Sequence, residues 1–378
     1  MPTPLLRAIS RIEGSAPAAA NTRLATWSSC SRLRVASVRG ARGFVKAEHA
    51  PFALQRSFKR SIVRFMSFNR SQSRAVQMDS FGGPEVLNVR EVPVPQPGKG
   101  QLRVRVAAAG LNPMDWFMTA DAASGARFGM KLPCGFGTDY AGVVEQVGDG
   151  ATGFKAGDRV FGGALSRAVA DFVVVSANGD VAANEVHHTP DGVDDRTAAA
   201  LTIAGRTAYA VLAVVGLGPK DTVLVGGAAG GVGVFTVQLA RMTGARVIGT
   251  ASAASADFLR DLGAEPTTYG DGLVERVRAM APGGVTAAID LYGTETALAA
   301  RALGVPDKRI TIIATQLPGI TSANGAAAAP GSLEKLADLV ATRKVRVPIA
   351  AHFPVEQIRK AVELQSARHV KGKVVVDL

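Results

Sequence analysis

The sequence predicts an α/β protein with two domains, a β-rich domain followed by a doubly wound parallel sheet. Three observations support this fold class. Short strand-like segments separated by turn residues fill residues 74–193, helices and strands alternate from residue 194 onward, and a glycine-rich turn joins a strand to a helix in this second region. Such alternation implies parallel strands joined by crossover helices. A chain of 378 residues is long enough for two cores.

The positive charge of the chain is concentrated in its N-terminal part. The formal net charge is +12, and residues 1–74 hold 14 Lys and Arg against two acids, Glu13 and Glu48. We expect residues 1–73 to be a disordered basic leader, either a transit peptide or a start assigned too early, with Met66 as the true start. The location is then cytoplasmic, or the mitochondrial matrix if the leader is a transit peptide. The remaining charges cancel, which argues against a nucleic-acid partner.

Composition excludes two further classes of protein. Cys30 and Cys134 are far apart, so neither a disulfide framework nor a multi-cysteine zinc site is expected. The most apolar long segment, residues 197–217, contains Arg206 and reads as a buried helix, so no membrane span is predicted.

The elements of the first region are short strands. Residues 102–106 alternate apolar and polar side chains, as a half-buried strand does. Further strands are predicted at residues 75–78, 87–89, 141–147 and 172–175, with Gly, Pro and Asp turns between them.

The second region alternates helices and strands, with a loop at residues 319–331. Helices are predicted at residues 197–215, 231–243, 255–262, 272–280, 333–342 and 355–365. Strands are predicted at residues 221–226, 246–250, 287–290, 309–314, 345–350 and 373–376.

The strongest local signal is the glycine-rich turn that follows the strand at residues 221–226. Small residues let the backbone turn tightly and approach a pyrophosphate, and the helix N-terminus that follows supplies free N–H groups. Ala228 stands where the usual GxGxxG pattern has its first glycine, but the strand–turn–helix context is intact. The residues expected to bind a dinucleotide here are Ala228, Ala229, Gly230, Gly231, Val232 and Gly233.

The next strand lacks the acid that binds the adenosine ribose of NAD. The nearest carboxylate after residues 246–250 is Asp257, one turn into the following helix. Without that carboxylate a ribose phosphate is not repelled, so the sequence favours NADPH over NADH.

Over residues 74–378 the chain resembles the zinc-independent, zeta-crystallin-like quinone oxidoreductase branch of the medium-chain dehydrogenase/reductase superfamily. The segments that carry the resemblance are Phe81-Gly-Gly-Pro-Glu-Val-Leu87, Gly110-Leu-Asn-Pro-Met-Asp115, Gly137-Thr-Asp-Tyr-Ala-Gly142, Gly157-Asp-Arg-Val160, Ala229-Gly-Gly-Val-Gly233 and Gly372-Lys-Val-Val375. The resemblance implies a GroES-like β-rich catalytic domain of residues 74–193 with 332–378, and a Rossmann NADPH-binding domain of residues 194–331. It also implies a homodimer and a substrate cleft between the domains.

The resemblance implies roles for individual residues. Asn112 is expected beside the nicotinamide and the substrate oxygen, and Thr207 near the nicotinamide. Ser252 and Tyr269 correspond to positions around the adenosine 2′-phosphate. The branch often has a lysine four residues after Ser252, where this chain has Ala256.

Zinc-dependent relatives differ from this chain at their metal ligands. They have a cysteine at Asn112, a Gly-His-Glu at Gly137-Thr138-Asp139, and a third ligand near Ile203. Zinc needs thiolate, imidazole or carboxylate ligands, and this chain offers one carboxylate at these positions. No metal is therefore expected.

The expected reaction is hydride transfer from NADPH to a small quinone or α,β-unsaturated carbonyl. The Asn112 amide would stabilise the developing negative oxygen, and a proton would come from solvent or Tyr140. Asn112 can also serve as a turn former before Pro113, Tyr140 as a core aromatic, and Asp139 as an acceptor for backbone N–H groups. A pathway-specific enoyl reductase and a non-catalytic NADPH-binding scaffold remain alternatives.

Overall fold

The computed structural model describes residues 71–181 and 184–378. Residues Ser71–Leu378 form one compact unit. Almost all of the predicted leader lies outside the described residues, so its nature stays a prediction. None of the helices in the described part of the chain is long and apolar enough to cross a bilayer.

The described strands are numbered in chain order. They are β1 (Gln72–Met78), β2 (Asn88–Pro93), β3 (Gln101–Leu111), β4 (Cys134–Gly135), β5 (Asp139–Val147), β6 (Arg159–Ala164), β7 (Phe172–Ser176), β8 (Asp180–Val181), β9 (Asn184–His188), β10 (Thr222–Gly226), β11 (Arg246–Ala251), β12 (Glu265–Thr268), β13 (Ala287–Asp290), β14 (Ile310–Ile312), β15 (Thr321–Ser322), β16 (Ile349–Pro354) and β17 (Lys373–Asp377).

The described α-helices are numbered in the same way. They are α1 (Pro113–Thr119), α2 (Ala122–Arg127), α3 (Asp195–Ala198), α4 (Thr202–Val215), α5 (Gly233–Met242), α6 (Ala256–Asp261), α7 (Leu273–Met280), α8 (Glu295–Ala302), α9 (Ser332–Ala341) and α10 (Ile358–Ser366).

The first half of the described chain builds a mainly antiparallel sheet that the last strands complete. Its order is β16-β17-β3-β5-β6-β9-β8, with β7 also paired to β3. β17 pairs antiparallel with β3, with Val375 opposite Gly110, and β16 pairs parallel with β17. A smaller sheet, β2-β1-β4, shares a core with α10. The chain therefore returns at its end to the sheet in which it began.

The second sheet is parallel and has the order β12-β11-β10-β13-β14-β15. β10 is a run of apolar residues, as expected of a strand covered on both faces. The chain moves outward from β10 to β12 on one side and then from β13 to β15 on the other. The order of the strands thus reverses beside β10. In open α/β sheets, ligands bind at such a point of reversal. The predicted fold class, GroES-like plus Rossmann, is confirmed.

Some elements differ from the prediction. The strand predicted at residues 345–350 begins only at Ile349, because Pro348 cannot donate to a ladder and instead accepts a hydrogen bond from Lys373 N at 2.9 Å. The polar residues around His187 and His188 suggest a loop, but both histidines lie in β9. The predicted helix at residues 197–215 is divided into α3 and α4.

Candidate functional site

The glycine-rich turn lies at the carboxyl end of β10, where the strand order reverses. Gly227 has a left-handed φ of +66°. A side-chain carbon at Gly233 would lie 2.4 Å from the carbonyl oxygens of both Gly227 and Ala228, so only glycine lets α5 start against the turn. Ala228 N donates to Thr250 O at 3.1 Å, which holds the turn on β11.

The turn fits the pyrophosphate of a dinucleotide. The N-terminus of α5 carries the positive end of the helix dipole, and Val234 N in its first turn donates to Gly230 O at 3.0 Å. Gly230 and Gly231 have no side chains, so a ligand can approach their backbone closely. Gly372 N donates to Ala229 O at 2.9 Å, so the segment before β17 is attached to this turn. The arrangement has the helix dipole and the close backbone approach that favour a bound phosphate.

A buried polar cluster, formed by Asn112, Asp115, Thr138, Asp139 and Lys373, lies where β3, α1, β5 and β17 meet. These side chains are between 0 and 3% exposed. Lys373 Nζ donates to Asn112 Oδ1 at 2.6 Å, and Asn112 Nδ2 donates to Asp139 Oδ2 at 2.9 Å. Thr138 Oγ1 donates to Asp115 Oδ1 at 2.7 Å, while Asp115 Oδ2 accepts from Asn112 N at 2.8 Å. The Asn112 amide is thus held at both ends by charged groups.

The buried polar cluster lies beside the glycine-rich turn. A side-chain carbon at Gly231 would be 3.1 Å from Lys373 Cδ, so the lysine passes the turn on its way to Asn112. Asp139 also accepts from Ile203 N at 3.2 Å, which joins the cluster to α4. This bond confirms the prediction that Asp139 accepts a backbone N–H group.

Burial dominates the electrostatics of the cluster. It raises the pKa of Asp139 to about 7, although Lys373 and Asn112 act in the opposite direction. Burial likewise raises the pKa of Asp115 to about 6, and it lowers the pKa of Lys373. The two carboxyl groups therefore change protonation state close to neutral pH.

The other predicted cofactor residues lie around the same edge of the parallel sheet. Thr207 is on α4, where its hydroxyl donates to Ile203 O at 2.7 Å. Ser252 follows β11 directly and bonds to Ser255, and Tyr269 follows β12 with half of its surface exposed. Carboxyl ends of parallel strands share one edge, so Ser252, Tyr269 and the turn are on one side of the sheet. Their cofactor contacts stay predictions.

Tyr140 requires a correction. It follows Asp139 in β5, and successive side chains of a strand point to opposite faces. Asp139 faces the buried polar cluster, whereas Tyr140 packs in the core on the other face with Leu102 and Val144. Its hydroxyl donates to Glu185 O at 3.2 Å, and burial raises its pKa. The geometry supports the core-aromatic interpretation and not that of a proton donor.

Replacing Tyr140 by phenylalanine tests this correction. The variant loses one buried hydrogen bond, so we expect a loss of about 1 kcal/mol in the free energy of unfolding. We expect its turnover to stay close to that of the wild type, because the hydroxyl points away from the cluster. Steady-state kinetics and guanidinium unfolding measure the two quantities. A large fall in kcat with little change in stability would restore Tyr140 as a candidate.

The donor set near Asn112 does not fit a catalytic zinc ion. The side chain that contacts Asp139 is the amide of Asn112, not a thiolate. Ile203 has no side-chain atom that can bind a metal ion. Lys373 Nζ lies 3.8 Å from Asp139 Oδ2, where its positive charge opposes a cation. Among the described residues, no group of three or more His, Cys, Asp or Glu side chains is arranged to hold a metal.

Sequence reasoning assigned no role to two residues that make unusual contacts in the structure. Lys373 begins β17 and is followed by three valines, and a lysine buried to 2% exposure is unusual enough to serve as a signal. Arg368 has its guanidinium 5.3 Å from the ring of Trp116 and 5.1 Å from that of Tyr292. Its stacking depends on contacts between distant parts of the chain, which no local pattern reveals.

Known proteins share this architecture. Family models for an alcohol dehydrogenase GroES-like domain and for a zinc-binding dehydrogenase match residues 98–188 and 231–325. The human quinone oxidoreductase is 38% identical over 191 residues, which are 49% of this chain and 55% of that protein. The chain therefore spans about half the length of the curated relatives it matches.

Two solved structures match most of the chain. The quinone oxidoreductase from Coxiella burnetii has a TM-score of 0.69 at 28% identity, covering 81% of this chain and 99% of that one. A mycobacterial protein complexed with NADPH has a TM-score of 0.71 at 27% identity, covering 81% and 100%. Together with the turn and the two sheets, these matches show that the chain belongs to the medium-chain dehydrogenase/reductase superfamily, in its zeta-crystallin-like quinone oxidoreductase branch.

Proposed function

We propose that the protein is an oxidoreductase that transfers a hydride from NADPH to a small quinone or α,β-unsaturated carbonyl, without a metal ion. One observation carries the proposal: a buried, charged polar cluster lies directly beside a glycine-rich phosphate turn at the switch point of a parallel sheet. The names of the human and Coxiella relatives support the acceptor class, and the NADPH of the mycobacterial structure supports the cofactor.

The protein's own part in this reaction is to orient the reactants and to stabilise charge. When bound, NADPH supplies the hydride. Asn112 Nδ2 carries two hydrogens, and Asp139 accepts one of them. The second is available to donate to the acceptor oxygen as it becomes negative. Lys373 increases the acidity of this N–H through its ammonium contact with Asn112 Oδ1.

The product also needs a proton, and the buried polar cluster can hold one. The pKa of Asp139 is raised by burial to about 7, and that of Lys373 is lowered. The Asp139 carboxyl can therefore hold the proton at neutral pH. With Tyr140 facing the core, the cluster replaces it in the proposed mechanism, alongside solvent.

NADPH oxidation by the full chain tests the proposal. The acceptor panel contains a quinone, an enone and a simple aldehyde, with EDTA present and NADH assayed in parallel. We expect quinone or enone reduction that is insensitive to EDTA and faster with NADPH. Loss of activity in EDTA would contradict the metal-free mechanism. Cofactor binding without turnover of any acceptor would instead favour a non-catalytic NADPH-binding protein.

A further inference from the structure

A lysine from a distant part of the chain, Lys371, lies beside the loop that follows β11. In dinucleotide-binding sheets the end of the second strand faces the adenosine ribose, where NAD-specific sites have an acid and NADP-specific sites have a base nearby. Here β11 ends at Ala251, and Ser252 follows it. Lys371, two residues before β17 begins, extends to this loop, where its Nζ donates to Ala254 O at 2.6 Å.

The backbone around Lys371 is held tightly. Gly372 has a φ of +99°, and a side-chain carbon there would lie 2.2 Å from Pro348 O, so only glycine fits. Gly372 N donates to Ala229 O at 2.9 Å in the glycine-rich turn. Lys371 is therefore anchored to the phosphate turn through its backbone and reaches the loop after β11 through its side chain.

The chemistry beside Lys371 suits a phosphate monoester. The ammonium carries three hydrogens, and within the described residues its hydrogen-bond partner is the neutral Ala254 carbonyl. The hydroxyls of Ser252 and Ser255 lie in the same loop, 3.0 Å apart, and either can donate. A phosphate dianion is a stronger acceptor for an ammonium than a carbonyl is.

We propose that Lys371 binds the 2′-phosphate of the adenosine ribose and so determines the preference for NADPH over NADH. The inference rests on the proposed function and identifies the residue that selects the cofactor. Two other cations nearby are already engaged. Arg260 is paired with Asp257 at 2.6 Å, and Arg368 is stacked on two aromatic rings.

Equilibrium binding of NADPH and NADH to the full chain tests the role of Lys371. Adenosine 2′,5′-bisphosphate and 5′-AMP serve as smaller probes that differ in the 2′-phosphate. We expect Lys371→Ala to weaken NADPH and the bisphosphate about tenfold or more, because a charge-assisted hydrogen bond is lost. NADH and 5′-AMP should bind as they do to the wild type. Lys371→Arg should keep the preference, and Arg260→Ala serves as the matched control.

The possible results separate this inference from the proposed function. If Lys371→Ala lost the same factor of affinity for NADPH and for NADH, Lys371 would bind the pyrophosphate, and the inference would be overturned. It would also be overturned if neither affinity changed. If Arg260→Ala lost the preference for NADPH while Lys371→Ala kept it, the 2′-phosphate would be bound by Arg260 on α6 and not by Lys371. Wild-type quinone reduction, measured alongside, tells whether the proposed function still stands in these cases. A wild type that binds neither dinucleotide would overturn both.

Discussion

Replacing Asn112 by leucine is expected to lower kcat by about 100- to 1000-fold, the effect seen when one oxyanion donor is removed. Leucine has a similar volume but no amide, so the acceptor oxygen loses its proposed donor. Binding of NADPH should change much less, because the glycine-rich turn is built from backbone that the substitution does not touch. Rapid-mixing kinetics and a separate binding titration measure the two effects.

The control for Asn112→Leu must separate lost chemistry from lost stability. Thr138→Val removes another polar group of the same cluster, a hydroxyl that donates to Asp115 and does not contact Asn112. We expect it to reduce stability as well, but to lower kcat far less than Asn112→Leu does. If Asn112→Leu remains folded and retains most of its kcat, the amide does not stabilise the reacting oxygen, and Asn112 is a turn former only.

The fold could be predicted wherever a local pattern decides the structure. β10, the glycine-rich turn and α5 follow from an apolar run, small residues and a helical period. By contrast, α8 was missed because alanines form most of its buried face, so its hydrophobic period is weak. β6 was missed because two of its six residues are glycines, which weaken strand patterns.

The site was predictable only in part, because its decisive contacts join distant segments. Asn112 and Lys373 are 261 residues apart in the chain, and their contact depends on β17 pairing with β3. Whether Asp139 or its neighbour Tyr140 faces the buried polar cluster depends on the register between β5 and β3. Motifs name both residues but cannot tell which side of the sheet each occupies.

The contacts of His187 also could not be predicted from its neighbours in the sequence. Its sequence neighbours suggest a solvated loop, yet its ring lies between two carboxylates, 2.9 Å from Glu185 and 2.9 Å from Glu334. Glu334 is 147 residues away and approaches only because α9 packs beside β9. Both carboxylates raise the pKa of His187, although burial opposes them. A charged partner supplied by tertiary packing is not visible in a local pattern.

Replacing Lys373 by methionine is expected to cost about 3–5 kcal/mol of folding free energy, because a buried charge then loses its partner. Methionine keeps the length of the side chain and removes only the ammonium that contacts Asn112 and Asp139. Guanidinium unfolding measures the loss. Lys155→Met, which breaks an exposed pair with Asp158, is the matched control and should change stability little.

The cost of Lys373→Met should depend on pH in a defined direction. Folding raises the pKa of Asp139 from its ordinary 3.8 to about 7, so its contribution to stability is full below about pH 4 and is lost as pH rises toward 7. Without the ammonium this pKa rises further. The free energy of unfolding of the variant should therefore lie further below that of the wild type at pH 8 than at pH 5. The lowered pKa of Lys373 acts in the same direction, since the wild type buries an ammonium beside a protonated Asp139 at pH 5.

A second substitution distinguishes charge pairing from packing as the origin of this cost. Adding Asp139→Asn to Lys373→Met removes the unpaired carboxylate while keeping its shape, so much of the lost stability should return, and the pH dependence should weaken. A loss caused by packing would persist in the double variant and would be the same at pH 5 and pH 8. That result would mean that the lysine chain fills space beside Gly231, and that the charge on its ammonium contributes little.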